Sequence, residues 1–154
     1  MARQGLSERE LNAWRVSFEM LELLRTRIEQ QLQAGSGLSN ADYTVLAVLS
    51  EASEGRLRVY ELGRAAGWEK SRLHHQLTRM AKRGLITRER CGSRGMDAVI
   101  TADGLAAIKE AARGHAQEVR RLFVDRLTPE ELDRFASIAG IVLAGLRADQ
   151  QAAL

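Results

Sequence analysis

The chain has 154 residues, the size of one ordinary domain, and its hydrophobic fraction of 45% is sufficient for a buried core. No apolar run approaches the length of a membrane-spanning helix and no signal peptide is visible, so we expect a cytoplasmic protein without membrane contact. The single cysteine, Cys91, excludes an intrachain disulfide and a zinc site built from several thiolates.

Positive charge is concentrated in one segment of the chain. The whole chain carries a formal net charge of +3, whereas residues 68–95 contain eight basic and two acidic residues and therefore carry +6. The basic residues of this segment are Lys70, Arg72, Arg79, Lys82, Arg83, Arg88, Arg90 and Arg94. A focused positive surface of this kind is typical of contact with nucleic-acid phosphates.

Helix-start motifs and apolar periodicity predict six helices. Ser7 with Glu10 and Thr128 with Glu131 form capping boxes, and residues 38–43 form a weaker third case. Glycines after the first, third and fourth apolar stripes favour the ends of those helices. The predicted helices cover residues 8–34, 40–52, 59–66, 69–83, 101–126 and the segment from 129 onward.

A β-hairpin is predicted between the fourth and fifth helices. Residues 85–90 have the pattern of an extended strand, residues 91–96 form a tip with two glycines, and residues 97–101 form the returning strand. A short strand at 57–58 is also expected. The fold class is therefore mainly α with a small β-hairpin wing, a winged helix-turn-helix domain flanked by further helices.

The terminal helices carry apolar stripes that one small domain cannot bury. The stripe of the sixth helix alternates spacings of three and four residues, with Leu132, Phe135, Ala139, Val142 and Leu146. We therefore expect a homodimer joined by helices from both ends of the chain. In this organisation, one domain spans 1–154, with a winged helix-turn-helix at about 38–104 and dimerisation helices at about 6–35 and 105–154.

The helices on either side of Gly67 form a helix-turn-helix candidate whose second helix would enter a major groove of duplex DNA. Leu73, Leu77 and Met80 lie on one face of that helix, and polar side chains occupy the other. Ser71, Arg72, His75 and Arg79 are the predicted base contacts, with His74 and Gln76 as further candidates and Lys70 and Lys82 as phosphate contacts. On the wing, Arg88 and Arg90 are predicted to contact phosphates and Arg94 to enter the minor groove.

These motifs together resemble the MarR family of bacterial transcriptional regulators. The most specific parts are the turn Arg83-Gly84-Leu85 after the recognition helix and the wing that ends in Ile100-Thr101-Ala102-Asp103-Gly104. The resemblance implies a dimer on a pseudo-palindromic operator, usually as a repressor. It also implies a small aromatic effector bound between the dimer helices and the winged helix. The hairpin tip 91–96 departs from the aspartate- and arginine-rich tip that is common in the family.

Several residues allow a functional and a purely structural interpretation. Trp14, Phe18 and His115 are the candidates for lining an effector pocket, although each also fits ordinary packing of an apolar stripe. Cys91 lies beside Arg90 and could be oxidised, but no resolving cysteine exists, and a bystander role is favoured.

The functional classes that remain are a DNA-binding regulator and a docking module. His74 and His75 point about 100° apart on a helix, which is poor geometry for one ion, so no metal or other cofactor is expected. The sequence shows no nucleophile–base set or phosphate loop, and we do not expect an enzyme. The alternative to a DNA-binding regulator is a dimeric winged-helix module that binds a protein partner.

Overall fold

The computed structural model describes residues 5–93 and 95–152. In chain order it contains α1 (Glu8–Ser36), α2 (Asn40–Glu51), β1 (Arg56–Arg58), α3 (Val59–Ala66), α4 (Lys70–Lys82), β2 (Ile86–Cys91), β3 (Gly95–Ile100), α5 (Ala102–Leu122) and α6 (Pro129–Ala152). The chain divides into two compact units, Met1–Ala116 and Gln117–Leu154, with the boundary inside α5. No helix within the described residues is long and apolar enough to cross a membrane.

The capping motifs read from the sequence form as hydrogen-bonded caps. At the start of α1, the Glu10 carboxylate accepts from the backbone N–H of Ser7 at 2.7 Å, and the Ser7 hydroxyl accepts from the N–H of Glu10. Thr128 and Glu131 make the same reciprocal pair before α6. The weaker motif before α2 is also a full capping box, formed by Ser39 and Asp42. These caps satisfy N–H groups that the first helical turn leaves without partners.

Helix α5 is shorter than predicted. It ends at Leu122, because Phe123 leaves the helical conformation at φ −128° and a 3₁₀ turn follows at Val124–Arg126. The Phe123 ring packs edge to face against Phe135 of α6, with ring centroids 5.0 Å apart. Apolar periodicity continues through this break, so it could not reveal the turn. The predicted helix to 126 is therefore wrong over its last four residues.

The three strands form one antiparallel sheet in the order β1-β3-β2. The hairpin pairs from Ile86↔Ile100 to Cys91↔Gly95, so both strands reach further toward the tip than predicted. On its other edge, β3 pairs with β1 through Leu57↔Ala98. The short strand after α2 thus fixes the base of the hairpin.

The core of the first unit joins α1, α2, α3, α4, α5 and the sheet. Leu73, Leu77 and Met80 of α4 are fully or almost fully buried, as the helical spacing predicted. The other buried apolar residues are Leu32, Leu38, Val45, Leu46, Leu49, Leu62, Leu85, Ile86, Ala98, Ile108 and Ala111. Helix α4 is therefore anchored along one face.

One threonine and one glycine hold the segment that links the hairpin to α5 against the residues before β2. The Thr101 hydroxyl donates to the Gly84 carbonyl at 2.6 Å and accepts from the Gly104 N–H at 3.0 Å. A Cβ on Gly104 would lie 2.1 Å from the carbonyl oxygen of Leu85, so only glycine fits without displacing backbone. The Ile-Thr-x-x-Gly motif is thus a joint that holds both ends of the hairpin against α5.

Candidate nucleic-acid interface

The exposed face of α4 carries most of the predicted DNA contacts. Seven of the eight residues predicted on this helix are exposed: Lys70, Ser71, Arg72, His74, His75, Arg79 and Lys82. The apolar residues beneath them are buried, so the helix is fixed while its polar face remains in solvent. We call this set of seven the α4 polar face.

Gln76 does not belong to the α4 polar face, and its prediction as a base contact is wrong. It is 3% exposed, and its side-chain amide donates from Nε2 to Oδ1 of Asp42 at 2.7 Å. Gln76 lies three residues after Leu73 and one before Leu77, which places it about 60° from the centre of the apolar face. Its polarity suggested an outward direction, but a buried partner on α2 holds it inside.

Asp42 and Arg83 form an ion pair that the sequence does not reveal, with the carboxylate buried and the guanidinium side chain 45% exposed. Asp42 is 2% exposed, and its Oδ2 accepts from Nη1 of Arg83 at 2.6 Å and from the N–H of Ser39 at 2.9 Å. Arg83 also donates to the carbonyl of Gly37 at 3.0 Å. One of the eight basic residues of the charged segment is therefore paired with an acid of the same chain.

The turn of the helix-turn-helix contributes to the polar face. Gly67 takes a left-handed conformation at φ +68°, and the N–H of Trp68 donates to the Gly63 carbonyl at 2.9 Å. The guanidinium carbon of Arg72 lies 4.4 Å from the centroid of the Trp68 ring. This cation–π contact restricts the direction in which Arg72 leaves the first turn of α4.

The wing lies next to α4. Arg88 is half-buried on β2 and its guanidinium contacts Nδ1 of His74 at 3.3 Å, which joins the wing to the α4 polar face. Arg90 is exposed on the same strand. Arg94, the predicted minor-groove contact, lies outside the described residues.

Ion pairs join β1 to the middle of the wing, where Glu89 and Asp97 face each other. Arg56 pairs with Glu89 at 2.7 Å and with Asp97 at 3.7 Å, and Arg58 pairs with Asp97 at 3.5 Å. Arg58 also donates to the carbonyl of Cys91 at 3.2 Å. These contacts hold the three strands together, and they neutralise the two arginines of β1 rather than offering them to a ligand.

The three predicted effector-pocket residues do not meet within one protomer. Trp14 and Phe18 stack on each other with ring centroids 5.6 Å apart, and both are more than half exposed. His115 instead packs against Tyr43, with ring centroids 4.2 Å apart. The side-chain amide of Gln31 lies close to the neighbouring Gly114. Phe18 and Gln31 are 13 residues apart on α1, roughly 20 Å along the helix axis, so a shared pocket would need a second chain.

His115 lies in a half-buried site with unsatisfied polar atoms. Its Nδ1 and the Oε1 of Gln31 are both buried and lack a hydrogen-bond partner within the described structure. Burial lowers the pKa of His115 below its usual range, because partial loss of hydration disfavours the charged imidazolium.

We expect His115 to make the protein less stable in mild acid. As the pH falls through about 6.5, the unfolded chain takes up a proton at His115 that the folded chain resists, so the free energy of unfolding decreases. His115→Phe should therefore flatten this decrease between about pH 7.5 and pH 5.5. Urea unfolding across this range at one protein concentration measures the effect. His75→Phe, at an exposed histidine, is the control, and an equal flattening in both variants would contradict the assignment.

Comparison with known proteins places this geometry in a known group. The model of the MarR family matches residues 36–95, which cover α2 to the start of β3. A curated relative, the HTH-type transcriptional repressor YetL of Bacillus subtilis, is 26% identical over 109 residues, or 70% of this chain. The match spans 65% of the length of YetL.

Two solved structures from Streptomyces coelicolor match over almost the whole chain. The MarR family transcriptional regulator Sco3205, solved in complex with DNA, is 37% identical with a TM-score of 0.89, covering 92% of this chain and 94% of its own. AbsC, another MarR family transcriptional regulator, is 39% identical with a TM-score of 0.89, covering 94% of this chain and 99% of its own.

Proposed function

The chain belongs to the MarR family of transcriptional regulators, and from this premise we propose that it binds a pseudo-palindromic DNA operator as a homodimer and represses transcription. The α4 polar face is the observation that carries the proposal, because it presents arginines and histidines on a helix fixed from below. Sco3205 was solved with DNA and YetL is named a repressor, which supports this reading. The protein acts by binding rather than by catalysis.

In this proposal, α4 lies in the major groove and the wing follows the neighbouring backbone. Arg72 and Arg79 are the principal base contacts, since a guanidinium can donate two hydrogen bonds to one guanine. Ser71 and His75 read further base edges, while Lys70, Lys82 and Arg90 contact phosphates. Arg88 contacts His74 from the wing, and both stay predicted DNA contacts, Arg88 at a phosphate and His74 at a base, as does Arg94 in the minor groove.

Arg79→Ala and Arg72→Ala should each weaken operator binding by on the order of 1–3 kcal/mol for each lost base contact. The operator can be obtained by selection from randomised duplexes, and affinity measured by fluorescence anisotropy against it and a scrambled duplex. The loss should be greater on the operator than on the scrambled sequence. Arg113→Ala, an exposed arginine on α5, is the charge-matched control.

Two results would contradict base reading. An equal loss on both duplexes would show that the arginines hold only phosphates. Weak binding of all duplexes by the wild-type protein would favour the alternative, a winged-helix module that docks a protein.

The proposed homodimer rests on apolar surface that one chain leaves in solvent. On α6, Ile138, Val142 and Leu146 lie on one face of the helix and are each 59–64% exposed. On α1, the exposed large apolar side chains include Trp14, Val16, Phe18, Leu21 and Leu23. Soluble monomers rarely expose apolar surface this extensive, and a second copy of the chain is the partner that would cover it.

Leu146→Glu should therefore shift the dimer toward monomer, because it places a charge in the proposed interface without a partner. Light scattering coupled to gel filtration over a range of concentrations measures this. Ala144→Glu adds the same charge about 160° away around α6 and should leave the dimer intact. The interface would be misplaced if both variants stayed dimeric or both dissociated.

We also propose that a small aromatic effector binds beside His115 and releases the operator. The buried, unpartnered Nδ1 of His115 and Oε1 of Gln31 support this, because a ligand could supply their missing hydrogen bonds. The Tyr43 ring offers the apolar wall of such a site. Trp14 and Phe18 could join it only from the partner chain.

A thermal-shift screen of aromatic acids tests the effector site. A ligand that binds the folded dimer should raise the melting temperature of the wild type and weaken operator binding. His115→Phe should reduce the temperature shift, while His75→Phe should keep it. Equal shifts in the two variants would place the ligand elsewhere.

A further inference from the structure

We propose that Gln76 is a positioning residue that sets the direction of Arg79, and that the buried carboxylate of Asp42 controls Gln76 in turn. The inference rests on the proposed function, since it concerns how an operator-reading arginine is held. It assigns to Gln76 a role in sequence preference without any contact to DNA.

The three side chains form a continuous series from the core to the surface. Nε2 of Gln76 donates to Oδ1 of Asp42 at 2.7 Å, and Oε1 of Gln76 accepts from the guanidinium of Arg79. Asp42 and Gln76 are 2% and 3% exposed, whereas Arg79 is on the α4 polar face. A buried acid on α2 is thereby linked to an exposed arginine on α4.

The side-chain amide of Gln76 can make both hydrogen bonds in one orientation only. An ionised carboxylate accepts hydrogen bonds only, so Asp42 requires the NH₂ end of the Gln76 amide to face it. The carbonyl oxygen of Gln76 must then face the other way, toward Arg79, which donates only. If the amide were rotated by 180°, its oxygen would face the Asp42 carboxylate and its NH₂ group would face the Arg79 guanidinium, and neither pair could form a hydrogen bond.

Asp42 itself has little freedom to adapt. Its second oxygen already accepts from Nη1 of Arg83 and from the N–H of Ser39, and Arg83 is tied to the Gly37 carbonyl. The carboxylate is therefore fixed by the start of α2 and the end of α4. Because the Asp42 carboxylate is held in place, it also holds the Gln76 amide, and Gln76 can in turn restrain Arg79.

A restrained Arg79 should bind its base pair at a lower entropic cost than a free arginine. A free arginine side chain loses considerable rotamer entropy when it docks on a base edge. If Gln76 already limits those rotamers, part of that cost is met during folding, and the guanidinium favours one base position. Loss of Gln76 should therefore relax the preference at the base pair that Arg79 reads, and leave the other positions unchanged.

The experiment compares base preferences rather than affinity alone. Wild type, Gln76→Met, Arg79→Ala and the double variant are each used to select from a randomised duplex library, and dissociation constants are measured on single-base variants of the selected operator. Methionine keeps the length of glutamine but loses both hydrogen bonds. Thr78→Val is the matched control, because the hydrogen bond that the Thr78 hydroxyl makes within the described residues is to the His74 carbonyl of its own helix.

We expect Gln76→Met to reduce preference by roughly 5- to 10-fold at the same base pair as Arg79→Ala, and nowhere else. In the double variant the loss should equal that of Arg79→Ala alone, since Gln76 acts through Arg79. Thr78→Val should keep the wild-type pattern.

A second variant guards against a folding defect. In Asp42→Asn, the asparagine oxygen would face Arg83 and Ser39, and its NH₂ would face Gln76. The Gln76 amide would then turn and present its own NH₂ to Arg79. This variant should lose the same base preference as Gln76→Met, with thermal melting used to verify that both are folded.

The inference is overturned if Gln76→Met and Asp42→Asn keep the base preference that Arg79→Ala loses, or weaken binding to every sequence by one factor. Multiplied losses in the double variant would also overturn it. A wild-type protein without any sequence preference would instead refute the proposed function, and this inference with it.

Discussion

The helix that faces DNA in our proposal depends on one buried carboxylate. Asp42 lies in the first turn of α2, where it caps its own helix and neutralises Arg83 at the end of α4. Loss of Arg83 would leave the Asp42 carboxylate buried without its ion-pair partner, which is costly because a buried charge has lost its hydration. The apolar anchors Leu73 and Leu77 hold α4 against the core. Asp42 adds hydrogen bonds to Gln76 within α4 and to Arg83 at its C-terminal end.

The sequence was sufficient for every element governed by local rules. The capping boxes at Ser7 and Thr128 involve residues three apart, and the apolar anchors of α4 repeat with the helical period, so both are visible without a structure. The same holds for the fold class and for seven of the eight predicted contacts on α4, whose exposure follows from their position opposite the buried face. Their contacts with DNA stay predictions.

What the sequence could not supply depends on residues far apart in the chain. The polarity of Gln76 predicts a position on the surface, whereas its buried partner Asp42 lies 34 residues earlier. The sequence groups Arg83 with the other basic residues of the charged segment, although Asp42 pairs with it from 41 residues away. The end of α5 is likewise invisible to periodicity, because Phe123 leaves the helical conformation and packs on Phe135 while the apolar pattern continues. Long-range pairing of polar or aromatic groups overrides local pattern in all three cases.

The joint made by Thr101 and Gly104 fixes the base of the wing and leaves its tip out of that contact. One hydroxyl bonds the carbonyl before β2 and the N–H at the start of α5, so the two ends of the hairpin are fastened to each other at its base. Residues added or exchanged at the far end, around Gly92, leave this joint in place, because they lie at the opposite end of both strands. The tip of the hairpin can therefore be redesigned in the laboratory without rebuilding the connection to α5.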